Sequence, residues 1–192
     1  MIKDAHASAH EAVFKDSNPN CPLDEKYKIV TIGDYESHPK GLYWLGSPDG
    51  IHFSPIGREP FMTKGLFDSQ NLAFWDSVAG VYREYHRASR RVVPDSHRAE
   101  MMKGQPSPRF IQHPDWVMTS TSKDLCSFSK PELLEFPGAP IDELYTNQIQ
   151  SYYRAPHILM GFPMRYVNRG WSAPMVDLPG LDDRLNRPRR IG

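Results

Sequence analysis

The fold is indicated first by one short stretch of sequence, Ser47-Pro48-Asp49-Gly50-Ile51-His52-Phe53-Ser54. Its pattern, S-x-D-x-x-x-F-S, returns with Ser122 standing 75 positions after Ser47, as Ser122-Lys123-Asp124-Leu125-Cys126-Ser127-Phe128-Ser129. A β-prone segment precedes each copy, so the motif predicts two equivalent hairpins. The Asp and Ser side chains are expected to cap each turn by binding backbone amides. A repeat of this kind favours repeated β-sheets, as in a propeller, over a single closed sandwich.

The composition also favours an all-β chain. It contains 18 prolines and 13 glycines among 192 residues, which suit turns and sheet edges better than long helices. Strands are predicted at 27–31, 41–47, 80–87 and 116–121, and another is predicted to begin at 51–53. The best candidate for a short helix is 5–14.

A single domain over residues 1–192 is predicted, with repeated units at about 14–66, 67–141 and 142–192. A propeller needs at least about four blades to close. At the 75-residue offset of the motif, 192 residues hold about two and a half units. The chain is therefore expected to be part of a ring. Its open sheet edges could allow self-association.

Charge, cysteine and histidine usage exclude several functional classes. Lys+Arg and Asp+Glu are equal at 23 each, so neither a nucleic acid nor a membrane is predicted as a partner. Without a long apolar run or a signal sequence, the chain is expected to be soluble, and its location stays open. Cys21 and Cys126 signal neither a disulfide framework nor a zinc site. Only His6 and His10 are closely spaced, so no metal or cofactor is predicted; the sequence does not place the oxygen ligands that a channel Ca²⁺ would need.

The segment 80–87 contains side chains suited to binding sugars. Alternation along a strand puts Arg83, Tyr85 and Arg87 on one face and His86 on the other. Guanidinium groups donate hydrogen bonds to sugar hydroxyls, and aromatic rings stack on the apolar face of a pyranose. The alternative is a surface ion-pair ladder with Glu84 and its neighbours.

Four further residues are candidates for the same site. Arg154 occupies the corresponding place in the next unit, and Asn147 follows Asn71 at an offset close to that of the hairpins. Trp75, beside an acidic residue, is the preferred stacking platform, although a tryptophan in a small β-repeat often belongs to the core.

Several stretches resemble the blades of five-bladed β-propeller glycosidases, in the superfamily around glycoside hydrolase families 32, 43, 68 and 117. Within it, the chain looks most like bacterial propeller proteins described only as family 32-like glycosidases. The resemblance covers about residues 14 to 170 and is carried by Phe14-Lys15-Asp16-Ser17-Asn18-Pro19, the Ser47 motif, Phe67-Asp68-Ser69-Gln70-Asn71 and Leu144-Tyr145-Thr146-Asn147. The Asn-Asp-Pro-Asn, Arg-Asp-Pro and Glu-Cys motifs of family 32 are not present.

The resemblance implies cleavage of a glycosidic bond by carboxyl groups around a central channel. By position, Asp16 would be the base, Asp68 the modulator and Glu143 the acid. Such cleavage needs one protonated and one ionised carboxyl group facing each other across the bond. Each residue also has a plain structural interpretation, as a turn cap or a solvated loop residue. The alternative functions are a propeller that binds carbohydrate or another partner without catalysis, and an inactive fragment.

Overall fold

The computed structural model describes residues 11–33, 39–88 and 116–166, with single positions at 95, 96, 99, 174, 179 and 180. The three continuous ranges form an all-β structure in which every strand pairing is antiparallel. Within these ranges, a 3-10 turn at Leu23–Glu25 lies between the first two strands. The strands are β1 (Ala12–Lys15), β2 (Tyr27–Ile32), β3 (Leu42–Ser47), β4 (Ser54–Ile56), β5 (Leu72–Asp76), β6 (Val81–Arg87), β7 (Val117–Ser122), β8 (Glu132–Leu133), β9 (Glu143–Leu144), β10 (Gln150–Ser151), β11 (Leu159–Met160) and β12 (Arg165–Tyr166).

Two four-stranded sheets repeat the same design. The first has the order β1-β2-β3-β4 and the second the order β5-β6-β7-β8, so neighbours in sequence are neighbours in the sheet. Their registers also correspond. Phe14 lies opposite Lys28 in the first sheet, and Phe74 lies opposite Arg83 in the second. The all-β prediction is confirmed.

The repeated motif builds equivalent turns at the ends of β3 and β7. In the first copy, the amides of Asp49 and Gly50 donate to Ser47 Oγ, at 3.2 and 2.9 Å, and the amide of Ile51 donates to Asp49 Oδ1 at 2.8 Å. In both copies the serine hydroxyl also donates to the aspartate Oδ1 at 2.9 Å, from Ser47 to Asp49 and from Ser122 to Asp124. The predicted capping role is therefore confirmed.

Two sequence predictions differ from the structure: the start of β4 and the helix near the beginning of the chain. Because residues 51–53 belong to the turn around Asp49, β4 begins at Ser54 rather than at Ile51. The helix predicted at 5–14 is wrong over its described residues, since Ala12–Lys15 is a strand paired with β2. Its first part, 5–10, lies outside the described residues.

Apolar cores bury both faces of the second sheet, and two of them join it to the units on either side. The first core packs Val30, Leu42 and Trp44 of the first sheet against Ala73 and Tyr82 of the second. The second core consists of four buried residues, Leu72, Tyr85, Val117 and Ile149. Leu144 of β9 packs against it. The first sheet, the second sheet and the segment from β9 onward therefore follow one another as three packed units.

The third unit is built differently within the described residues. It contains two short ladders, β9 with β12 and β10 with β11, instead of a four-stranded sheet. The predicted unit boundaries at 66 and 141 fall between the sheets and stay predictions. In the part of the chain that the structure describes, none of the helical segments has the length and apolarity needed to cross a membrane.

Candidate functional site

Asp16 lies directly after β1 and forms a buried ion pair. Its carboxylate accepts hydrogen bonds from Lys28 Nζ at 2.9 Å, from the Tyr82 hydroxyl at 2.7 Å and from the backbone amide of Asn18 at 2.9 Å. The side chains of Asp16 and Lys28 are both 0% exposed. Since Tyr82 belongs to the second sheet, this cluster joins the first two units from the inside.

The electrostatics of this cluster favour one fixed protonation state. Burial opposes the charge on Lys28, but the hydrogen bonds that Lys28 donates to Asp16 and Cys21, together with the Asp16 charge, outweigh it and raise the pKa of Lys28 above its ordinary value. Burial, assisted by the Asp16 carboxylate, also raises the pKa of the Tyr82 hydroxyl. Lys28 is therefore charged and Tyr82 protonated at neutral pH.

The position of Asp16 recurs in the other two units. Asp76 follows the same pattern at the end of β5, and Asn147 follows β9. In each case a side-chain oxygen accepts a hydrogen bond from the backbone amide two residues further on. The distance is 2.9 Å for Asp16, 3.0 Å for Asp76 and 3.3 Å for Asn147. Asn147 therefore corresponds to Asp16 and Asp76, and its predicted correspondence to Asn71 is wrong.

Asp76 forms the second copy of the ion pair. Its Oδ2 lies 2.6 Å from Nε of Arg83, the residue that occupies the place of Lys28. Burial opposes ionisation of Asp76, but the Ala79 amide, the Arg83 guanidinium and the Val78 amide outweigh it and lower its pKa. Arg83 is thus engaged in a structural pair and not with Glu84.

We expect Asp76→Asn to lower the free energy of unfolding at pH 7 by about 1–2 kcal/mol, because a charge-assisted pair is replaced by neutral hydrogen bonds. A lowered folded pKa gives stability that is present above the ordinary Asp value of about 3.9 and lost as pH falls through the folded value. The difference between wild type and variant should therefore shrink below about pH 4. Urea unfolding at pH 7 and at acid pH measures it, with Asp24→Asn at an exposed position as the control; a pH-independent difference contradicts the assignment.

Asp68 and the segment that carries Glu143 both approach Arg87, the last residue of β6. The Asp68 side chain is 68% exposed, and its Oδ1 lies 2.5 Å from Arg87 Nη2. The Arg87 guanidinium lies 5.3 Å from the centroid of the Tyr145 ring, two residues after Glu143. Glu143 is 5% exposed. Arg87 thus connects an exposed carboxylate to the segment that carries a buried one.

Asp16 does not share this end of the sheet. It is bound to Tyr82, whereas Asp68 is bound to Arg87, five residues further along β6. At about 3.3 Å per residue, the two positions are about 16 Å apart along the strand. Tyr82 also faces the first core, while Arg87 lies on the face of Tyr85 and the second core. The predicted action of Asp16 and Asp68 on one bond is not supported by this separation.

Apart from Arg83 and Trp75, the side chains predicted to bind substrate lie at three separate places. Asn71 is buried, and its Nδ2 donates to the carbonyls of Phe67 and Ser69 at 2.9 and 3.0 Å, so it positions the loop that carries Asp68. Tyr85 and Asn147 line a cavity of about 210 Å³ between the second and third units. Arg154 is exposed and stacks on Tyr153, 5.3 Å from its ring centroid.

His86 lies on the opposite face from Tyr85, as predicted, but in an unforeseen buried network. Its Nδ1 lies 2.8 Å from Glu84 Oε2, and its Nε2 lies 2.9 Å from the Lys64 carbonyl. Ser120 donates to Glu84 Oε1 at 2.5 Å. Both ionisable side chains are 0% exposed, so the alternative of a surface ladder through Glu84 is wrong. The sequence did not indicate that Glu84 and His86 are buried, because charged residues on a β-prone strand usually face solvent.

Trp75 borders a cleft between the first and second sheets. The cleft has a volume of about 800 Å³ and lies on the Tyr82 side of the second sheet. The Trp75 and Tyr82 rings meet edge to face with centroids 4.8 Å apart, and Phe61 stacks on Trp44 at 4.3 Å. Trp75 therefore lies on the opposite face of the sheet from Arg83, Tyr85 and Arg87.

No match is found for the chain among protein-family models or among curated proteins. Within the described residues, no group of three or more His, Cys, Asp or Glu side chains could hold a metal ion. His6 and His10, the two closely spaced histidines of the sequence, lie outside those residues.

Proposed function

We propose that the three units are consecutive blades of a five-bladed β-propeller. Two features support this architecture. The sheets are four-stranded meanders in sequence order that pack on one another, which is the construction of propeller blades. The first strand of each unit ends in an equivalent Asp or Asn turn. In the described residues the sheets do not close into a ring, so other blades would complete it.

We propose further that the protein acts on carbohydrate as a glycoside hydrolase, with Asp68 and Glu143 as its pair of carboxyl groups. The observation that carries this proposal is their placement, one exposed and one buried, on two segments bridged by Arg87. Carboxyl groups in contrasting environments are suited to different protonation roles. Hydrolysis of a glycosidic bond requires such a pair.

The roles follow from the two environments. Glu143, which is buried, would donate a proton to the leaving oxygen as the general acid. Asp68, open to solvent and paired with Arg87, would act as the base or nucleophile. Asp16, saturated by Lys28, Tyr82 and Asn18, would stabilise the junction between blades.

A carbohydrate-binding propeller without catalysis is the second candidate. It is favoured by the aromatic cleft beside Trp75, which lies apart from the carboxyl pair. Binding of sugars there would need no acid or base.

Turnover by the wild-type chain separates the two candidates. A panel of aryl glycosides covering furanosides and pyranosides of both anomeric configurations would be assayed from pH 4 to pH 8. Release of the aryl group above the rate of a heat-denatured sample is expected. If the panel and a set of plant and bacterial polysaccharides give no product while oligosaccharides bind, the non-catalytic function replaces this proposal.

A further inference from the structure

We propose that the cleft between the first two sheets is a second carbohydrate site, which binds an uncharged oligosaccharide by stacking on Trp75. It lies on the opposite face of the second sheet from Asp68 and Arg87. Binding in this cleft is a property separate from hydrolysis, since it requires no catalysis by the carboxyl pair.

The size and lining of the cleft suit a sugar ligand. A volume of about 800 Å³ falls within the range of about 300–1,000 Å³ that is usual for small-molecule sites. Trp75 and Phe61 are half-buried, so part of each ring remains open to the cleft. Rings with one open face stack on the apolar side of a pyranose, and their own packing fixes their orientation in advance.

The fixed orientation of the aromatic wall comes from the network beneath it. Tyr82, against which the Trp75 ring packs, donates its hydroxyl hydrogen to Asp16 and accepts a hydrogen bond from Asn18 Nδ2 at 2.9 Å. On the other side, Trp44 Nε1 donates to the Leu125 carbonyl at 3.0 Å, which holds the second Ser-x-Asp turn against the cleft. The wall is therefore built before any ligand binds.

The charge around the cleft selects an uncharged ligand. Its exposed rim carries two cations, Arg58 and Lys123, and two anions, Glu59 and Asp124. The carboxylate of Glu25, which also lines the cleft, lies 3.5 Å from the buried Lys28 Nζ. A balanced rim offers no net attraction to phosphates or polyanions. Its side chains offer both hydrogen-bond donors and hydrogen-bond acceptors, as the hydroxyls of a neutral sugar require.

The test is isothermal titration calorimetry of the full chain with neutral xylo-, arabino-, fructo- and gluco-oligosaccharides. We expect at least one of them to bind, with an affinity that Trp75→Ala weakens about tenfold or more through loss of the stacking ring. Asn20→Ala and Arg58→Ala change exposed lining residues and should each weaken binding about two- to fivefold without affecting the fold. Phe162→Ala, an exposed aromatic residue outside the cleft, is the matched control and should bind as wild type does.

Asp68→Asn separates this inference from the proposed hydrolase. It should abolish turnover but leave the calorimetric affinity of the cleft unchanged. Absence of binding by all four sugar classes overturns the inference, and so does binding that is lost in Asp68→Asn but retained in Trp75→Ala. If Trp75→Ala does not fold, loss of affinity in Arg58→Ala and Asn20→Ala supports the site, and wild-type affinity in both overturns it.

Discussion

Lys28→Met should lower the free energy of unfolding by about 3–5 kcal/mol, because it leaves the Asp16 carboxylate buried without its cation. This is a large part of the 5–15 kcal/mol that stabilises a typical domain. Tyr82 and Asn18 would still donate to Asp16, but neither carries a positive charge. Urea unfolding followed by tryptophan fluorescence measures the change.

The double variant Asp16→Asn, Lys28→Met distinguishes a lost ion pair from lost packing. It removes both charges, so much of the stability lost in Lys28→Met should return. A double-mutant cycle gives the coupling free energy between Asp16 and Lys28. Lys26→Met is the matched control; Lys26 lies 5.8 Å from the Tyr27 ring centroid, and its replacement should cost less than about 1 kcal/mol. Equal losses in Lys26→Met and Lys28→Met would show that the pair contributes little.

The pH dependence of the same variant has a defined sign. Because the pKa of Lys28 is raised in the folded protein, its contribution is complete below the ordinary lysine value of about 10.4 and is lost as pH rises through the folded value. The deficit of Lys28→Met should therefore be constant from neutral pH to about pH 10 and decrease only above it.

Local parts of the fold were predictable from sequence because local chemistry determines them. The Ser47 and Ser122 motifs specify their turns through side-chain bonds to amides two or three residues away. The strand at Val81–Arg87 follows from its β-prone residues, and its alternation correctly placed Tyr85 and His86 on opposite faces.

The candidate site was less predictable because its contacts join distant segments. A second repeat, F-x-D-S at Phe14 and again at Phe74, could have shown that Asp16 corresponds to Asp76 rather than to Asp68. That correspondence places Asp16 after its strand, whereas Asp68 lies before β5. The bonds of Asp16 to Tyr82 and of Asp68 to Arg87 span 66 and 19 residues, and no local pattern encodes them.

The largest expected effect on activity is that of Glu143→Gln, which should lower kcat by about 100-fold or more on glycosides with poor leaving groups. A general acid contributes about 10²–10⁴-fold by protonating the leaving oxygen, and glutamine cannot supply that proton. Glycosides with strongly activated leaving groups need little protonation, so the variant should retain much more of its activity on them. Asp68→Asn should lose activity on both kinds of substrate, since a base or nucleophile is needed whatever the leaving group.

Steady-state kinetics on a matched pair of activated and unactivated aryl glycosides measures this difference. Glu132→Gln, at an exposed carboxyl group on β8, is the control and should keep wild-type kcat and KM. The pH profile adds a second readout, because loss of the acid should remove the alkaline limb of kcat/KM while Asp68→Asn removes the acid limb. If Asp16→Asn proves as inactive as Glu143→Gln while remaining folded, the carboxyl pair has been assigned to the wrong end of the sheet, and the buried cluster around Lys28 would have to open during turnover.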